Sequence, residues 1–110
     1  MKEWKVYILP DAEDDIDKIY SYIAFVLLEP TTAQRLVSRI IKAIQSLEDM
    51  PERHRLYDKE PWRSKGVRLF SVGNYIVFYH TEPEKGFVFI DSVIYGARDI
   101  NIIVEESIKK

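Results

Sequence analysis

The sequence contains no cysteine and only four glycines among its 110 residues. Without cysteine the chain has no disulfide framework, no thiolate metal ligand and no cysteine nucleophile. The few glycines form neither a phosphate-binding loop nor a nucleophile elbow, and the two histidines, His54 and His80, lack the spacing of a metal site. The sequence therefore predicts no metal or nucleotide cofactor, and it restricts any catalysis to charge stabilisation and proton transfer.

Long apolar runs are also missing. The longest, residues 23–28, is far shorter than the roughly 20 residues that cross a bilayer. The first residues are not a basic stretch followed by an apolar run, so no targeting signal is recognised and a cytoplasmic protein is expected. With 46% hydrophobic and 13% aromatic residues, the chain is expected to form one domain over residues 1–110, with no membrane contact.

Residues 5–30 are predicted to form a strand followed by a helix. Positions 5–9 are rich in β-branched and aromatic residues and end at Pro10, as expected of a short strand. Asp11 is the predicted N-cap of the helix, because its carboxylate can accept backbone N–H groups, and Pro30 is predicted to end it. The helical spacing assigns six residues to the apolar face, namely Ile16, Ile19, Tyr20, Ile23, Val26 and Leu27.

A second helix is predicted to run back along the first. Thr31 or Thr32 is its expected N-cap, and Met50-Pro51 closes it. Its apolar positions keep helical spacing and are Ala33, Leu36, Val37, Ile40, Ile44 and Leu47. Because the connection between the helices is short, they are predicted to form an antiparallel hairpin whose apolar faces need a partner surface.

That partner surface is predicted in the second half of the chain, where the period changes to that of strands. Three strands are predicted over residues 67–72, 75–80 and 87–95, with Gly73-Asn74 as the tight turn between the first two. Residues 52–65 have no sustained period and are predicted to be an irregular connection. After Asp99, the apolar spacing is compatible with a short C-terminal helix.

These elements together predict an α+β fold. The N-terminal strand joins a three-stranded antiparallel meander in one sheet, and the helical hairpin packs on one face of that sheet. The opposite face is then expected to be partly open, so that a partner or substrate would bind there.

The formal net charge of −2 hides two regions of opposite sign. Residues 1–20 carry three basic and six acidic side chains, whereas residues 53–68 carry six basic and two acidic ones. Tyr57 and Trp62 lie within the basic region, which is typical of a surface that contacts phosphates and stacks on bases. A solvated connecting loop explains the same pattern equally well. The candidate target-binding residues are Arg53, Arg55, Arg63 and Lys65.

Two residues in the predicted strands are candidates for acid–base chemistry. His80 ends the second strand of the meander and has a side chain that can titrate near neutral pH, although a histidine in that place is more often simply polar surface. Asp91 shares the alternation face of Phe89 and Val93. It is interpreted as an ion-pair partner of a nearby arginine in preference to a functional carboxylate.

Two segments of the second half resemble a known toxin family. Residues 72–79 (VGNYIVFY) and 93–99 (VIYGARD) are similar to the RelE/ParE superfamily of bacterial type II toxin–antitoxin systems. The order of strand, two helices and three strands fits that superfamily as well, so the resemblance covers nearly the whole chain. It implies a toxin without a cofactor, whose partner is a cognate antitoxin that covers the helical hairpin and sheet and neutralises the basic region.

The resemblance implies one of two mechanisms. RelE-like members are ribosome-dependent mRNA endonucleases, whereas ParE-like members bind and poison DNA gyrase. The catalytic arginine of the RelE type falls where this chain has Tyr75-Ile76, and some ribonuclease members have a catalytic histidine where this chain has Gly96. These departures favour the ParE-like mechanism, which is the type associated with plasmid stabilisation and growth inhibition.

The ribonuclease alternative stays open at this point. RNA cleavage through a cyclic phosphate needs a base, an acid and a cation for the developing charge. Arg68 and Arg98 would supply the charge, and His80 or Tyr95 would supply the acid or base. A third alternative is a superfamily member that has lost its toxicity and only binds another protein.

Overall fold

The computed structural model describes residues 3–96, which form a four-stranded sheet with two helices on one face. The strands are β1 (Lys5–Ile8), β2 (Arg68–Val72), β3 (Tyr75–Glu82) and β4 (Phe87–Tyr95). Their order in the sheet is β1-β4-β3-β2. β1 is parallel to β4, whereas the other pairs are antiparallel. The predicted α+β fold is confirmed, with strand ends within two residues of those expected. The predicted C-terminal helix lies outside the described residues.

The first helix, α1 (Pro10–Ser21), continues into a π-helical turn, Tyr22–Val26, before the second helix, α2 (Pro30–Gln45). Both predicted N-caps are wrong. Leu9 and Glu29 occupy the N-cap positions, neither makes a side-chain cap hydrogen bond, and a proline follows each of them. Proline is favoured at the first helical position because its missing N–H would have no helical partner there. Pro30 therefore begins α2 instead of ending α1.

The main core lies between the helices and the sheet. Helix α1 contributes Ala12 and Ile16, and α2 contributes Ile40 and Ile44. Against them pack the strand residues Val72, Val77, Tyr79, Val88, Ile90 and Val93. Burying such side chains stabilises a fold by about 1.5–3 kcal/mol each, so this layer supplies most of the driving force. The predicted apolar faces of both helices are confirmed here, except at the end of the first.

The exception is the tip of the helical hairpin. Val26 and Leu27 were predicted to continue the buried face, but they are 65% and 51% exposed. The π-helical turn shifts the side-chain positions relative to an α-helix, so the predicted spacing no longer applies. Leu28 then adopts a left-handed conformation with φ of 58° and is itself exposed. The tip consequently presents a group of apolar side chains to solvent.

The opposite sheet face is covered in part by residues 55–67. Tyr57 and Trp62 are 3% and 7% exposed and pack with Leu69, Ile76 and Phe78 in a second apolar cluster. The expectation of a solvated loop with surface aromatic residues is therefore wrong for these two side chains. Residues 55–67, packed on this face, form the outer layer.

Candidate functional site

Arg53 has a structural role in the basic region. Its guanidinium donates hydrogen bonds to the backbone carbonyls of Ser46, Asp49 and Met50 and to the Ser46 hydroxyl. The last carbonyls of a helix have no partner within it, and a cation near them is also favoured by the helix dipole. Arg53 thus satisfies carbonyls of the 3₁₀ turn that follows α2 (Ser46–Glu48) and of the two residues after it, and these bonds use several of its N–H donors.

The other three predicted target-binding residues differ from Arg53. Arg55, Arg63 and Lys65 are exposed, and their side chains take part in no hydrogen bond or ion pair with other residues of the described range 3–96. They belong to the outer layer, whose buried Tyr57 and Trp62 hold it on the sheet. The basic groups are therefore free to contact a partner, but the two aromatic rings are not available to stack on bases.

Arg68 lies at the start of β2, beside the turn that follows α2. Its guanidinium donates to the carbonyl oxygen of His54 at 2.7 Å. The His54 ring stacks on Phe70 with 4.7 Å between ring centroids. Burial, with a smaller contribution from the nearby Arg53 charge, lowers the pKa of His54 below its ordinary value. Arg68 and His54 therefore form part of the packing between the connection and the β2 edge.

His80 and Asp91 form a pair across β3 and β4. The sheet register passes from Phe78 opposite Ser92 to Tyr79 opposite Ile90, which leaves Asp91 as the extra residue of a β-bulge. The Asp91 carboxylate lies 2.8 Å from Nδ1 of His80, and both side chains are 30% exposed. The prediction that Asp91 pairs with an arginine is thus wrong. The prediction that Asp91 and Val93 lie on the same face of the sheet is also wrong, because Val93 is buried in the main core.

The hydrogen bond that the His80 ring donates to the Asp91 carboxylate raises the pKa of His80, against the opposing effect of burial. A histidine with a raised pKa binds its proton more tightly in the folded protein than in the unfolded chain, so the proton stabilises the fold. This stabilisation is fully present below the unfolded pKa of about 6.5, and it is lost as the pH rises through the pKa of the folded state. We expect His80→Gln to lower the free energy of unfolding by about 1 kcal/mol at pH 5.5. This value is smaller than that of a fully buried hydrogen bond between charged groups, because water partly screens the exposed pair.

Thermal unfolding from pH 5.5 to 9 measures this effect. The difference in Tm between the wild type and His80→Gln should be about 4 °C at pH 5.5 and should shrink above pH 6.5. His54→Gln is the matched control, because the lowered pKa of His54 predicts a pH dependence of the opposite sign. A His80→Gln difference that stays constant over this range would contradict the prediction.

Gly96 packs directly against Ile76. A Cβ atom added at Gly96 would lie 2.3 Å from Cδ1 and 2.9 Å from Cγ1 of Ile76, so any side chain there requires Ile76 to move. Ile76 is itself 7% exposed and belongs to the cluster beneath the outer layer. The resemblance would place a catalytic arginine at Tyr75-Ile76 and a catalytic histidine at Gly96, and Ile76 of the first position is in direct apolar contact with Gly96.

Tyr95 is the last residue of β4, beyond the His80–Asp91 pair, which lies at the middle of that strand. Its ring contacts Tyr75 edge-on at 5.5 Å, and the two rings line a groove of about 640 Å³ against the end of α1 and its π-helical turn. This hairpin groove is lined mainly by apolar side chains, namely Ile19, Tyr22, Ile23, Leu27, Tyr75 and Tyr95. The helical spacing of the sequence did not predict the hairpin groove, because that spacing assigned Leu27 to the buried face of the helix.

Three of the four candidate catalytic residues lie within the described range 3–96, and they are not brought together. Arg68 is opposite Tyr79 in the sheet and Tyr95 is opposite Tyr75, so they are separated by four residues along β3, or about 13 Å. His80 is on the outer face, since Phe78 two residues before it packs under the outer layer, whereas Tyr79 lies in the main core. Arg98 lies outside the described residues.

Sequence comparison identifies the family of this fold. Residues 6–100 match the family described as the ParE toxin of type II toxin–antitoxin systems, parDE. The chain belongs to the ParE toxin family. This ParE-family chain is accordingly the toxin component of a type II toxin–antitoxin system, as the resemblance of its strands implied.

Solved structures share the fold of this ParE-family chain. A chain from the chromosomal ParDE system of P. aeruginosa has a TM-score of 0.71 at 18% identity, covering 87% of this chain and 99% of that one. The toxin–antitoxin complex RelBE2 of Mycobacterium tuberculosis has a TM-score of 0.65 at 20% identity, covering 89% and 97%. A mutant of the E. coli toxin RelE in its free state has a TM-score of 0.63 at 16% identity, covering 97% and 96%. At these sequence identities, the comparisons show that the folds are similar.

No curated protein sequence matched the ParE-family chain. Within residues 3–96, no three histidine, aspartate or glutamate side chains are grouped so as to hold a metal ion. None of the helices in that same range is both long and apolar enough to span a bilayer.

Proposed function

We propose that this toxin inhibits growth by binding and poisoning DNA gyrase in the cytoplasm. The observation that carries the proposal is the contact of Ile76 with Gly96, where RelE-type ribonucleases of the superfamily would have catalytic side chains. An apolar contact provides neither a proton donor nor a charge for a pentacovalent phosphate. A toxin that acts by binding needs neither.

The separation of the remaining candidate groups supports the same proposal. A general base, an acid and a stabilising cation must all reach one scissile phosphate, which requires heavy-atom distances of about 3 Å. Arg68 donates to a backbone carbonyl, and His80 is paired with Asp91. Tyr95 contacts Tyr75 at the other end of the sheet.

The exposed basic groups of the outer layer are the proposed gyrase contact. Arg55, Arg63 and Lys65 are carried by a layer that Tyr57 and Trp62 anchor on the sheet, so their backbone is fixed before binding. Preorganised charged side chains accelerate association and determine the orientation of a partner. Arg53 contributes less in this proposal because its guanidinium already binds three carbonyls.

A supercoiling assay with purified gyrase tests the proposal. The wild-type toxin should inhibit supercoiling and accumulate cleaved DNA. The triple variant Arg55→Ala, Arg63→Ala, Lys65→Ala should need at least about tenfold more toxin, which corresponds to about 1.4 kcal/mol shared among three exposed charges. The triple variant Arg35→Ala, Lys42→Ala, Lys85→Ala removes the same charge from other exposed positions and should inhibit as the wild type does.

A parallel translation reaction separates the alternatives. Cleavage of mRNA on ribosomes, with gyrase unaffected, would overturn the proposal in favour of a RelE-like endonuclease. Loss of that cleavage in Arg68→Ala would then assign the residue a role in it. Normal growth on expression without antitoxin would instead indicate a non-toxic, protein-binding member of the superfamily.

The hairpin groove is the proposed docking site of the cognate antitoxin. Its lining is mainly apolar, and the neighbouring Phe25 and Leu28 are 70% and 78% exposed. Contiguous exposed apolar surface of this kind is typical of a protein interface. An amphipathic helix of the antitoxin would cover the groove, and acidic residues beyond that helix would neutralise the basic outer layer. A small acidic reading frame beside this gene would support the assignment.

A further inference from the structure

The two edges of the sheet differ in how they are covered within residues 3–96. The strand order β1-β4-β3-β2 makes β1 and β2 the edge strands. Beside β2, Leu56 forms a bridge with Arg68. The backbone N–H of Leu69 donates to the carbonyl oxygen of Arg55 at 3.2 Å. No strand of the described range pairs with β1 on its side away from β4, so a further strand can add at the β1 edge.

Val6 and Ile8 carry the backbone groups that face this edge. The N–H of Lys5 donates to the carbonyl oxygen of Gly86 at 2.9 Å, and Leu9 also donates toward β4. Backbone groups alternate between the two sides of a strand, so those of Val6 and Ile8 are directed away from β4. Within residues 3–96 they are bonded to no other backbone group. Such donors and acceptors are a template for pairing with another chain.

A row of aromatic rings on the outer face ends at the same edge. Tyr7 stacks on Phe89 of β4 with 5.7 Å between ring centroids and 25° between ring planes. The centroid of Phe89 lies in turn 5.4 Å from that of His80 on β3. Tyr7 is 42% exposed, because β1 is the last strand on this side of the sheet. The row therefore ends at a ring that can contact an aromatic side chain across the edge.

We propose that two copies of this chain form a dimer by antiparallel pairing of their β1 strands. A two-fold axis at Tyr7 places Val6 of each copy opposite Ile8 of the other copy. All of the outward N–H and C=O groups of these residues are then exchanged in hydrogen-bonded pairs. The two Tyr7 residues are directly opposite each other, in the type of pair whose side chains lie closest. The aromatic row thus continues from one copy into the other.

The residues of β1 suit a second copy of the chain as the added strand. An aromatic side chain is the best partner for Tyr7 across the edge, and the second copy supplies one. Lys5 is the one charged residue of β1, and it lies opposite Leu9 of the second copy. The two Lys5 residues are about 13 Å apart along the strands, so like charges are not opposed. Val6 and Ile8 are partly buried against the main core, and the added strand covers more of their surface.

The short strand limits the affinity of this dimer. β1 has four residues, so the interface is smaller than the roughly 800 Å² per partner of a stable complex. We expect a Kd of about 10–100 μM. Both outer layers lie on one side of the joined sheet, and both helical hairpins lie on the other. The hairpin groove stays accessible, because it meets β4 at Tyr95 and not at the residues that pair with β1.

Disulfide cross-linking tests the register of the pairing. The chain has no cysteine, so a single introduced thiol can form a disulfide only between two copies. In Tyr7→Cys the two Cα atoms would be about 4.5 Å apart, which a disulfide can span. Lys5→Cys is the matched control, because Lys5 is also exposed but its two copies are about 13 Å apart. At about 100 μM protein, Tyr7→Cys should cross-link at least about tenfold faster than Lys5→Cys.

Sedimentation equilibrium of the full chain measures the affinity. The average mass of the wild type should rise toward twice that of the monomer between about 1 and 300 μM. Tyr7→Glu places two carboxylates opposite each other and should raise the Kd at least about tenfold. Val6→Pro removes an outward N–H, which an edge strand tolerates, and should prevent dimerisation while circular dichroism stays that of the folded chain. Phe25→Glu, at a 70% exposed position of the hairpin tip, should leave the Kd unchanged.

Four outcomes would overturn the proposal. The first is a monomer at all of these concentrations, and the second is equal cross-linking of Tyr7→Cys and Lys5→Cys. The third is a dimer that Phe25→Glu dissociates and Tyr7→Glu does not, which would place the contact between copies at the hairpin tip. The fourth is a monomeric toxin whose antitoxin binding is weakened by Tyr7→Glu, which would assign the β1 edge to a strand of the antitoxin.

Discussion

Tyr79→Ala should destabilise this toxin more than any other substitution considered. Tyr79 has no exposed surface, and its ring packs edge-on against His54 and Phe70 with centroid distances of 6.2 and 5.9 Å. Its hydroxyl donates to the carbonyl oxygen of Pro51, which joins the sheet to the turn after α2. Removing a buried aromatic ring destabilises a domain by about 3–5 kcal/mol. The total stability of a small domain is about 5–15 kcal/mol.

Urea unfolding followed by circular dichroism measures this loss. Tyr79→Phe isolates the hydroxyl and should lower the unfolding free energy by about 1–2 kcal/mol, since the Pro51 carbonyl loses its donor. Burial raises the pKa of Tyr79 to about 12, so the hydroxyl stays protonated throughout the working range. Tyr7→Phe is the matched control, because Tyr7 is 42% exposed and should change stability little. An unchanged midpoint for Tyr79→Ala would contradict the assigned role.

Leu27→Asp should release this toxin from its antitoxin. Leu27 lines the hairpin groove and is 51% exposed, so an aspartate there leaves the domain core intact while placing a charge in the proposed interface. Disrupting a central interface residue weakens binding by about 2–4 kcal/mol, which is a rise in Kd of about 30- to 1000-fold. Cells that express both proteins should then stop growing, because the toxin is no longer neutralised.

Calorimetric titration with the purified antitoxin gives the affinity, and gyrase inhibition by the free variant shows whether the toxin itself is intact. Gln34→Asp adds the same charge at an exposed position of α2 outside the groove and should bind as the wild type does. Equal affinities for Leu27→Asp and Gln34→Asp would place the antitoxin elsewhere on the toxin. Retained gyrase inhibition with lost antitoxin binding would show that the two partners use different surfaces.

Most of the fold could be predicted because its signals are local. Apolar and aromatic runs bounded by turn residues identified β2 to β4, and helical spacing identified the buried faces of α1 and α2. The predicted helix caps were wrong because Asp11 and Thr31 have the right chemistry for an N-cap, but each stands after the proline that begins its helix. The residue before each proline occupies the cap position without any side-chain hydrogen bond.

The functional surfaces were harder to predict because they depend on contacts between distant segments. A strict period of two puts Asp91 and Val93 on one face, but the bulge opposite Tyr79 breaks the alternation and brings Asp91 to His80. The burial of Trp62 likewise follows from its packing against β3, and nothing in the polar sequence around it indicates that contact.

The parallel pairing of β1 with β4 affects how the toxin folds during synthesis. Lys5–Ile8 are synthesised well before their partners in the sheet, which are residues 87–90. Contacts of such long sequence separation slow folding, because the intervening chain must be ordered before they form. Until residues 87–90 have been made, the nascent toxin therefore exposes an unpaired first strand and uncovered helix faces. A chaperone or the antitoxin would meet these surfaces before the sheet that carries the basic outer layer is complete.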